Sequence, residues 1–351
     1  MIERQIINPH ANFFQKVFSR IDVAHDLILN YLPEKLVKQL NLNTLEVDRE
    51  SFVDILLSAT QSDLVFKVNT KSGNKVLIYI LMEHKSFLDR WVLFQLLGYI
   101  VRISEREREI KALERKNKRQ KNIENGLSEN EGIEKECITV VLPVIFYHGK
   151  KDWTIDEKLS ALYCHTNDFT NYIPEFDYEL IDLSSFGNQQ IIGNVYLQVA
   201  ILVMKHYHSD EFDELLSQIL SLLNDLVEDW TTINFISIVL LYSSSHKTRG
   251  KKWLTSTIEK NFNKAFGPKG GEVMEAVSNI WIEQGKKEGL IEKAREMVIE
   301  ALKVKYNNVS QSISAFVQSI KDENILRNLH REVILCNDMD EFQHRLQKIA
   351  A

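Results

Sequence analysis

The sequence predicts an α/β domain followed by an all-helical C-terminal region, and three observations carry that expectation. Segments rich in β-branched and aromatic residues, SDLVFKVNT (62–70), KVLIYILMEHKS (75–86) and ITVVLPVIFY (138–147), all fall in the first half of the chain. Helical spacing of apolar residues brackets them on both sides. Beyond about residue 190 every apolar segment has helical rather than alternating spacing.

In chain order, residues 12–40 open with apolar positions at helical spacing (Phe14, Val17, Phe18, Leu27, Ile28, Tyr31, Leu32), and Pro33 marks a break or a new first turn. A first strand at Leu42–Val47 leads to two strands joined through KSGN (71–74), which reads as a β-hairpin. After Asp89 the spacing of Trp91, Phe94, Leu97 and Val101 predicts a helix that continues into the charged stretch Ser104–Glu136. That stretch carries the basic cluster Lys111, Arg115, Lys116, Lys118, Arg119 and Lys121 and closes on acidic residues. It reads as a solvated insertion or helical projection, with nucleic-acid contact as the lesser alternative. The nearly continuous apolar run Ile138–Tyr147 is expected to be a strand covered on both faces. Helices are expected at 191–208, 211–227, 231–243, 253–266, 272–304 and 310–349. Two domains follow: 1–190, with the charged insertion at about 104–136, and 191–351.

Composition narrows the class. With 44% hydrophobic and 26% charged residues, the chain of 351 residues can bury a core. A net charge of −6 argues against one broad basic face coating nucleic acid, which needs many phosphate contacts. The sequence has no signal-peptide pattern and no run of eighteen apolar residues, so a cytoplasmic protein without membrane association is expected. Cys137, Cys164 and Cys336 lack the paired spacing of a zinc site and are expected to be free, buried thiols.

Spacing also suggests a site. Asp63 lies ten residues before Gly73 and Glu83 ten after it, so a hairpin centred on Gly73 sets the two carboxylates opposite each other. Opposed β-carbons are only about 4.5–5.5 Å apart, and like charges there repel unless a cation lies between them. Lys85, two residues after Glu83, shares its face. Two carboxylates and a lysine fit metal-assisted phosphodiester hydrolysis, with Mg²⁺ (or Mn²⁺ in its place) held by Asp63 and Glu83 and with Lys85 orienting a water. The other reading is that the acids merely mark strand ends and Lys85 faces solvent.

At these residues the sequence resembles the PD-(D/E)XK nuclease superfamily, with Asp63 as its single Asp and Glu83-His84-Lys85 as its E-x-K element. More specifically it resembles the recombination-promoting nuclease (Rpn), YhgA-like transposase family. The matching stretches are HANFFQKVF, NYLP, SFVD, SDLVF, ILMEHKS, FQLLGY and PVIFYHGK, and then GKKEGLIEKAREM near the C-terminus. The resemblance implies a restriction-endonuclease-like core of helix, mixed sheet and helix, and a DNA endonuclease linked to recombination or transposition. It also implies a substrate-binding role for Gln95 and Tyr99, four residues apart on one helix face, which otherwise read as a packed helix. Three positions depart from the pattern: Ala11 follows His10 where Asp is usual, Ser62 replaces Pro, and Gly98 stands where many relatives carry Arg. Glu34, Glu46 and Asp48 are all eligible as the upstream acid. His148 reads more readily as structural than as a site residue, and His84 as a packing residue. In the helical region LIEKAREMVIEALKV suits self-association or helix packing. A catalytically decayed, DNA-binding relative is the rival reading, and an RNA-directed nuclease a third.

Overall fold

Side chains alternate across a strand, so five short strands with the right parity suffice to build one sheet with two distinct faces. The computed structural model describes residues 8–48, 64–83, 89–132, 137–149, 151–155, 158–164, 169–246, 249, 251–307 and 309–350. The chain forms two compact units, Met1–Val273 and Met274–Ala351.

The first unit contains a mixed sheet of β1 (Leu40–Val47), β2 (Leu64–Thr70), β3 (Lys75–Glu83), β4 (Val140–Tyr147) and β5 (Glu179–Asp182), in that spatial order. β1, β2 and β3 pair antiparallel, whereas β3–β4 and β4–β5 are parallel. β5, only four residues long, is not foreseen in the sequence reading. The last strand ends at Asp182, near the position 190 at which the sequence divides strands from helices, and the compact unit continues to Val273.

The hairpin register differs from the expected one. Leu64 pairs with Ile80 and Asn69 with Lys75, whereas a loop centred on Gly73 would pair Leu64 with Met82. The cause lies in the turn. Thr70 and Asn74 close a three-residue loop, with the Thr70 N–H donating to the Asn74 carbonyl at 2.6 Å. Gly73 takes the left-handed last position at φ 90°, as such loops require, so the centre falls on Ser72.

One sheet face packs on the opening helices. Asn8 caps α1 (Pro9–Phe18) by accepting from the Ala11 N–H, and Pro9 fills the first turn. Phe14 and Phe18 of α1 each lie 5.2 Å from Phe146 of β4, ring centre to ring centre, and all three are fully buried. Val23, Ala24, Leu27 and Ile28 of α2 (Ile21–Tyr31) extend this core, and a one-turn α3 (Glu34–Val37) after Pro33 leads into β1.

The opposite face, with Val65, Leu77, Tyr79, Ile145 and Tyr147, packs on Val92, Leu93 and Leu96 of α4 (Val92–Glu124), the crossover that parallel β3 and β4 need. The inward stripe of α4 continues through half-buried Tyr99 and Ile103, while Trp91, Phe94 and Val101 are exposed. The apolar pattern read from the sequence is thus offset from the buried one, because the aromatic residues stand beside it.

α4 runs on for 33 residues, and polar contacts tie the returning chain to it. Glu107 accepts from the Thr139 N–H at 2.8 Å and from its hydroxyl, Lys111 donates to the Cys137 carbonyl at 2.8 Å, and Lys118 donates to the Gly132 carbonyl at 2.5 Å. Near the tip, the Asn122 amide donates to the carbonyls of Glu129 and Glu131. Positions 107, 111, 118 and 122 lie along one helix face. Burial pushes the Glu107 carboxyl up, but the Thr139 and Lys111 hydrogen bonds outweigh it and hold the group below its ordinary value of 4.5.

Behind α1 and α2 lie α5 (Val195–His206), α6 (Phe212–Ser221), α7 (Trp230–Ser244) and α8 (Lys251–Phe266), with α1 against α7, α2 against α5, and α6 against α8. The second unit is helical. α9 (Gly270–Tyr306) crosses the boundary, followed by α10 (Gln311–Ser319), α11 (Glu323–Leu335) and α12 (Met339–Ala350) around Val298, Leu302, Val317, Leu326, Leu329, Val333 and Phe342. The segment 310–349, read as helical from its spacing, thus comprises three helices. Asp322 caps α11 by accepting from Asn324 and Ile325, and the Lys305 ammonium takes the carbonyls of Val333 and Ile334 at its end. Cys336 is buried as expected, but Cys137 and Cys164 are exposed because both lie on connecting segments rather than in a core.

Removing the Phe146 ring should destabilise the first unit by about 3–5 kcal/mol, measured for Phe146→Ala by denaturant unfolding, since Phe14 and Phe18 cannot both close the space. Because the folded Glu107 pKa lies below its unfolded value, its contribution is complete above the usual carboxylate range and is lost as pH falls through the folded value. Glu107→Gln should lower stability at neutral pH by on the order of 1–3 kcal/mol, with the gap to wild type closing as the solution is acidified.

Candidate active site at the carboxyl ends of the parallel strands

β3, β4 and β5 run in the same direction, and their last residues form a row: Glu83 pairs with Tyr147, and Tyr147 with Asp182. In open α/β sheets, ligands gather beyond the carboxyl ends of parallel strands. Asp63, Ser62, His84 and Lys85 lie outside the described residues. Of the predicted trio, only Glu83 therefore has a described backbone position, at the end of β3.

The two helix positions separate in environment. Gln95 is exposed, whereas Tyr99 is half-buried with its ring 5.3 Å from that of Tyr79. Tyr99 therefore packs beside the strand that ends in Glu83. Gly98 has open space where a side chain would begin.

Among the eligible upstream acids, Glu34 is exposed and paired with Lys38, and Glu46 is exposed. Asp48 is buried, lies directly after β1 and contacts Lys67 of β2 at 2.9 Å, while its N–H donates to the Val65 carbonyl. Asp182 serves a structural end: one carboxylate oxygen accepts from the Ser184 N–H and hydroxyl, and the other from the Trp153 N–H. Among the described residues no three His, Cys, Asp or Glu side chains are grouped to hold a metal, and Asp63 is not among those residues.

Next to the strand ends lies a cluster that sequence reading missed. His148, directly after β4, is buried with its ring 5.0 Å from that of His10 in the first turn of α1. His10 Nδ1 is 2.7 Å from the Tyr242 hydroxyl, and its ring is 4.6 Å from that of Tyr207. His208 and His246 complete the group with ring nitrogens 3.2 Å apart, and the Arg249 guanidinium donates to the carbonyls of Tyr207 and Ser209. Burial holds the Tyr242 phenol well above its usual pKa and lowers that of Arg249. The sequence signal was a set of histidines at or near the ends of helical segments, in HYHS (206–209) and SSSHK (243–247), about 40 residues apart.

Gly149 is also required by local geometry. The Tyr147 ring folds over it so closely that a β-carbon there would meet the Tyr147 hydroxyl at 2.0 Å, and that hydroxyl donates to the Lys151 carbonyl.

The fold and this row of strand ends define an α/β protein with its candidate site at the carboxyl edge of a mixed sheet. The chain belongs to the family described as "Putative transposase, YhgA-like", whose model matches residues 8–233. It is similar to the recombination-promoting nuclease RpnD of Escherichia coli O157:H7, at 24% identity over 223 residues, 61% of this chain and 74% of that protein. It is also similar to the recombination-promoting nuclease RpnA of Escherichia coli (strain K12), at 23% identity covering 64% of this chain and 68% of that one. The inactive recombination-promoting nuclease-like protein RpnE of the same strain is 24% identical, over 64% of this chain and 67% of its own length. This is a nuclease- and recombination-related family that includes members named inactive. No solved structure matches the chain. Among the described residues no helix is long and apolar enough to cross a membrane.

Gly149→Ala should displace the buried Tyr147 ring and cost on the order of 1–3 kcal/mol, readable as a lowered unfolding midpoint.

Proposed function

We propose that this chain is a Mg²⁺-dependent DNA endonuclease of the PD-(D/E)XK type that acts in DNA recombination or transposition. The observation that carries the reading is Glu83 at the carboxyl end of a buried strand, in a chain that belongs to a family with named recombination-promoting nucleases. The element order supports it: helices, three antiparallel strands, a crossover helix and a parallel strand follow the order that the resemblance implies.

The donor chemistry suits Mg²⁺, a hard cation that takes carboxylate oxygens and keeps several waters. Asp63 and Glu83 would hold it. Bound there, the ion supplies positive charge that polarises the scissile phosphate and lowers the pKa of a water. Lys85 donates hydrogen bonds to the attacking water and to charge developing on the phosphate. Gln95 and Tyr99 contact the substrate phosphate, Gln95 from an exposed position on α4 and Tyr99 from beside Tyr79. Leu77 and Tyr79 of β3 pack against Val92, Leu93 and Leu96 of α4, which fixes the strand against the helix that carries Gln95 and Tyr99.

A second reading, a DNA-binding chain without catalysis, is supported by the relative named inactive and by the departures at Ser62 and Gly98. Purified protein should cut DNA with Mg²⁺ or Mn²⁺ and stop with EDTA. Asp63→Ala and Glu83→Ala should abolish cleavage, and Lys85→Ala should slow it by about 100-fold or more. Cleavage by Asp63→Ala at the wild-type rate would remove the proposed site, and DNA binding with no metal-dependent cutting would favour the second reading. Parallel assays on RNA decide the substrate class.

A further inference from the structure

The projecting half of α4 stands apart from the candidate site and has its own charge pattern. Between Ile110 and Ile123 there are six lysines and arginines and a single carboxylate, Glu114, in a chain whose net charge is −6. A merely solvated helix mixes both signs along its length, and like charges at i, i+4 such as Arg115 and Arg119 weaken an isolated helix.

The basic residues divide by face. Lys111 and Lys118 point toward the returning chain and are engaged by the carbonyls of Cys137 and Gly132, so they stiffen the projection. Arg108, Arg115 and Arg119 recur at spacings of seven and four, which places them on a neighbouring stripe of the helix. Arg108 and Arg119 are exposed and Arg115 is half-buried. Arg115, Lys116 and Arg119 line a shallow groove together with Ala112 and Ile123, and Glu124 and Glu129 lie at its tip end. From Arg108 to Arg119 the stripe spans about 16 Å, beside which duplex DNA presents on the order of nine phosphate charges.

We propose that this stripe is a duplex-DNA backbone anchor, with Arg108, Arg115 and Arg119 as phosphate contacts and Lys116 at its flank. The inference rests on the nuclease reading for its choice of DNA as the partner. α4 starts after β3 and the chain returns into β4, so the projection extends past the amino ends of those strands, away from Glu83. Val92 and Arg115 are 23 residues apart, about 35 Å along the helix. At that distance the arm acts by holding substrate and has no part in the chemistry.

The test uses the full-length triple variant Arg108→Gln/Arg115→Gln/Arg119→Gln. Its control is Lys35→Gln/Lys38→Gln/Lys71→Gln, which loses the same charge at exposed positions elsewhere. Binding to a labelled DNA duplex is followed by fluorescence anisotropy in EDTA over a range of salt, and cleavage is measured separately with Mg²⁺ at saturating DNA. The arm variant should bind at least about 10-fold more weakly at low salt, with the slope of log K against log salt reduced by about 2–3 while the control stays near wild type. Its cleavage rate at saturating DNA should be unchanged. Wild-type affinity and slope in the arm variant, or an equal loss in the control, overturns the anchor. If the wild type cuts but the arm variant binds normally, the anchor alone fails. If binding depends on the arm but nothing is cut, the nuclease reading alone fails.

Discussion

Leu77, Ile78, Tyr79 and Ile80 are consecutive in β3 and each is at most 3% exposed, and the rest of the first unit depends on how that burial is achieved. β3 has strands on both edges and helical layers on both faces, so every side chain in this run is withdrawn from water and every ladder position has a neighbour. Burying such residues contributes about 1.5–3 kcal/mol apiece against leaving them exposed, so β3, like Val144–Tyr147 of β4, is anchored by its burial. Glu83 sits at the end of this strand, so a carboxylate-bearing position is delivered to the sheet edge by an element that cannot shift without opening both cores.

The same burial dictates the connection. β3 and β4 are parallel, so the chain must cross back over one face, and α4 supplies both the crossover and the cover. Only its first turns are apolar toward the sheet. Beyond Ile103 no residue of the helix belongs to a buried apolar cluster among the described residues, and Glu107, Lys111, Lys118 and Asn122 engage backbone groups of the returning segment. A charged extension can thus be ordered without a hydrophobic core because polar side chains one to three turns apart meet an extended backbone along one face.

On the other side of the sheet, the opening helix links the strand ends to the later helices. Phe14 and Phe18 meet Phe146, Phe13 stacks on Tyr242 at 4.2 Å, and His10 joins Tyr242 and His148. The cluster of His10, His148, His208 and His246 therefore draws on α1, the end of β4 and the ends of α5 and α7, elements up to 236 positions apart in the chain. Four imidazoles are brought together by packing, with Tyr207 against His10, His208 and His246 and Tyr242 against His10.

Much of the architecture was legible in the amino-acid sequence. Alternation and apolar runs determined the hairpin, the strand at Val140–Tyr147, the long helix after Asp89 and the helical nature of the described residues beyond 190, because these follow from local periodicity, but only Pro143–Tyr147 of that strand is buried, with Ile138 and Val140 exposed. The matching motifs determined the family. Only the tertiary structure decided the register of the hairpin, since Gly73 takes the last rather than the middle position of its loop, and that choice depends on which pair closes the turn. The same holds for β5, which is too short to signal itself and exists because β4 offers it an edge. The inward face of α4, the burial of Asp48 beside Lys67 and the histidine cluster were likewise settled by packing between distant segments, which local periodicity cannot encode. For the candidate site, sequence named residues by type and spacing, and the fold determined that Glu83 ends a parallel strand beside Tyr147, because the direction and neighbours of a strand are properties of the sheet.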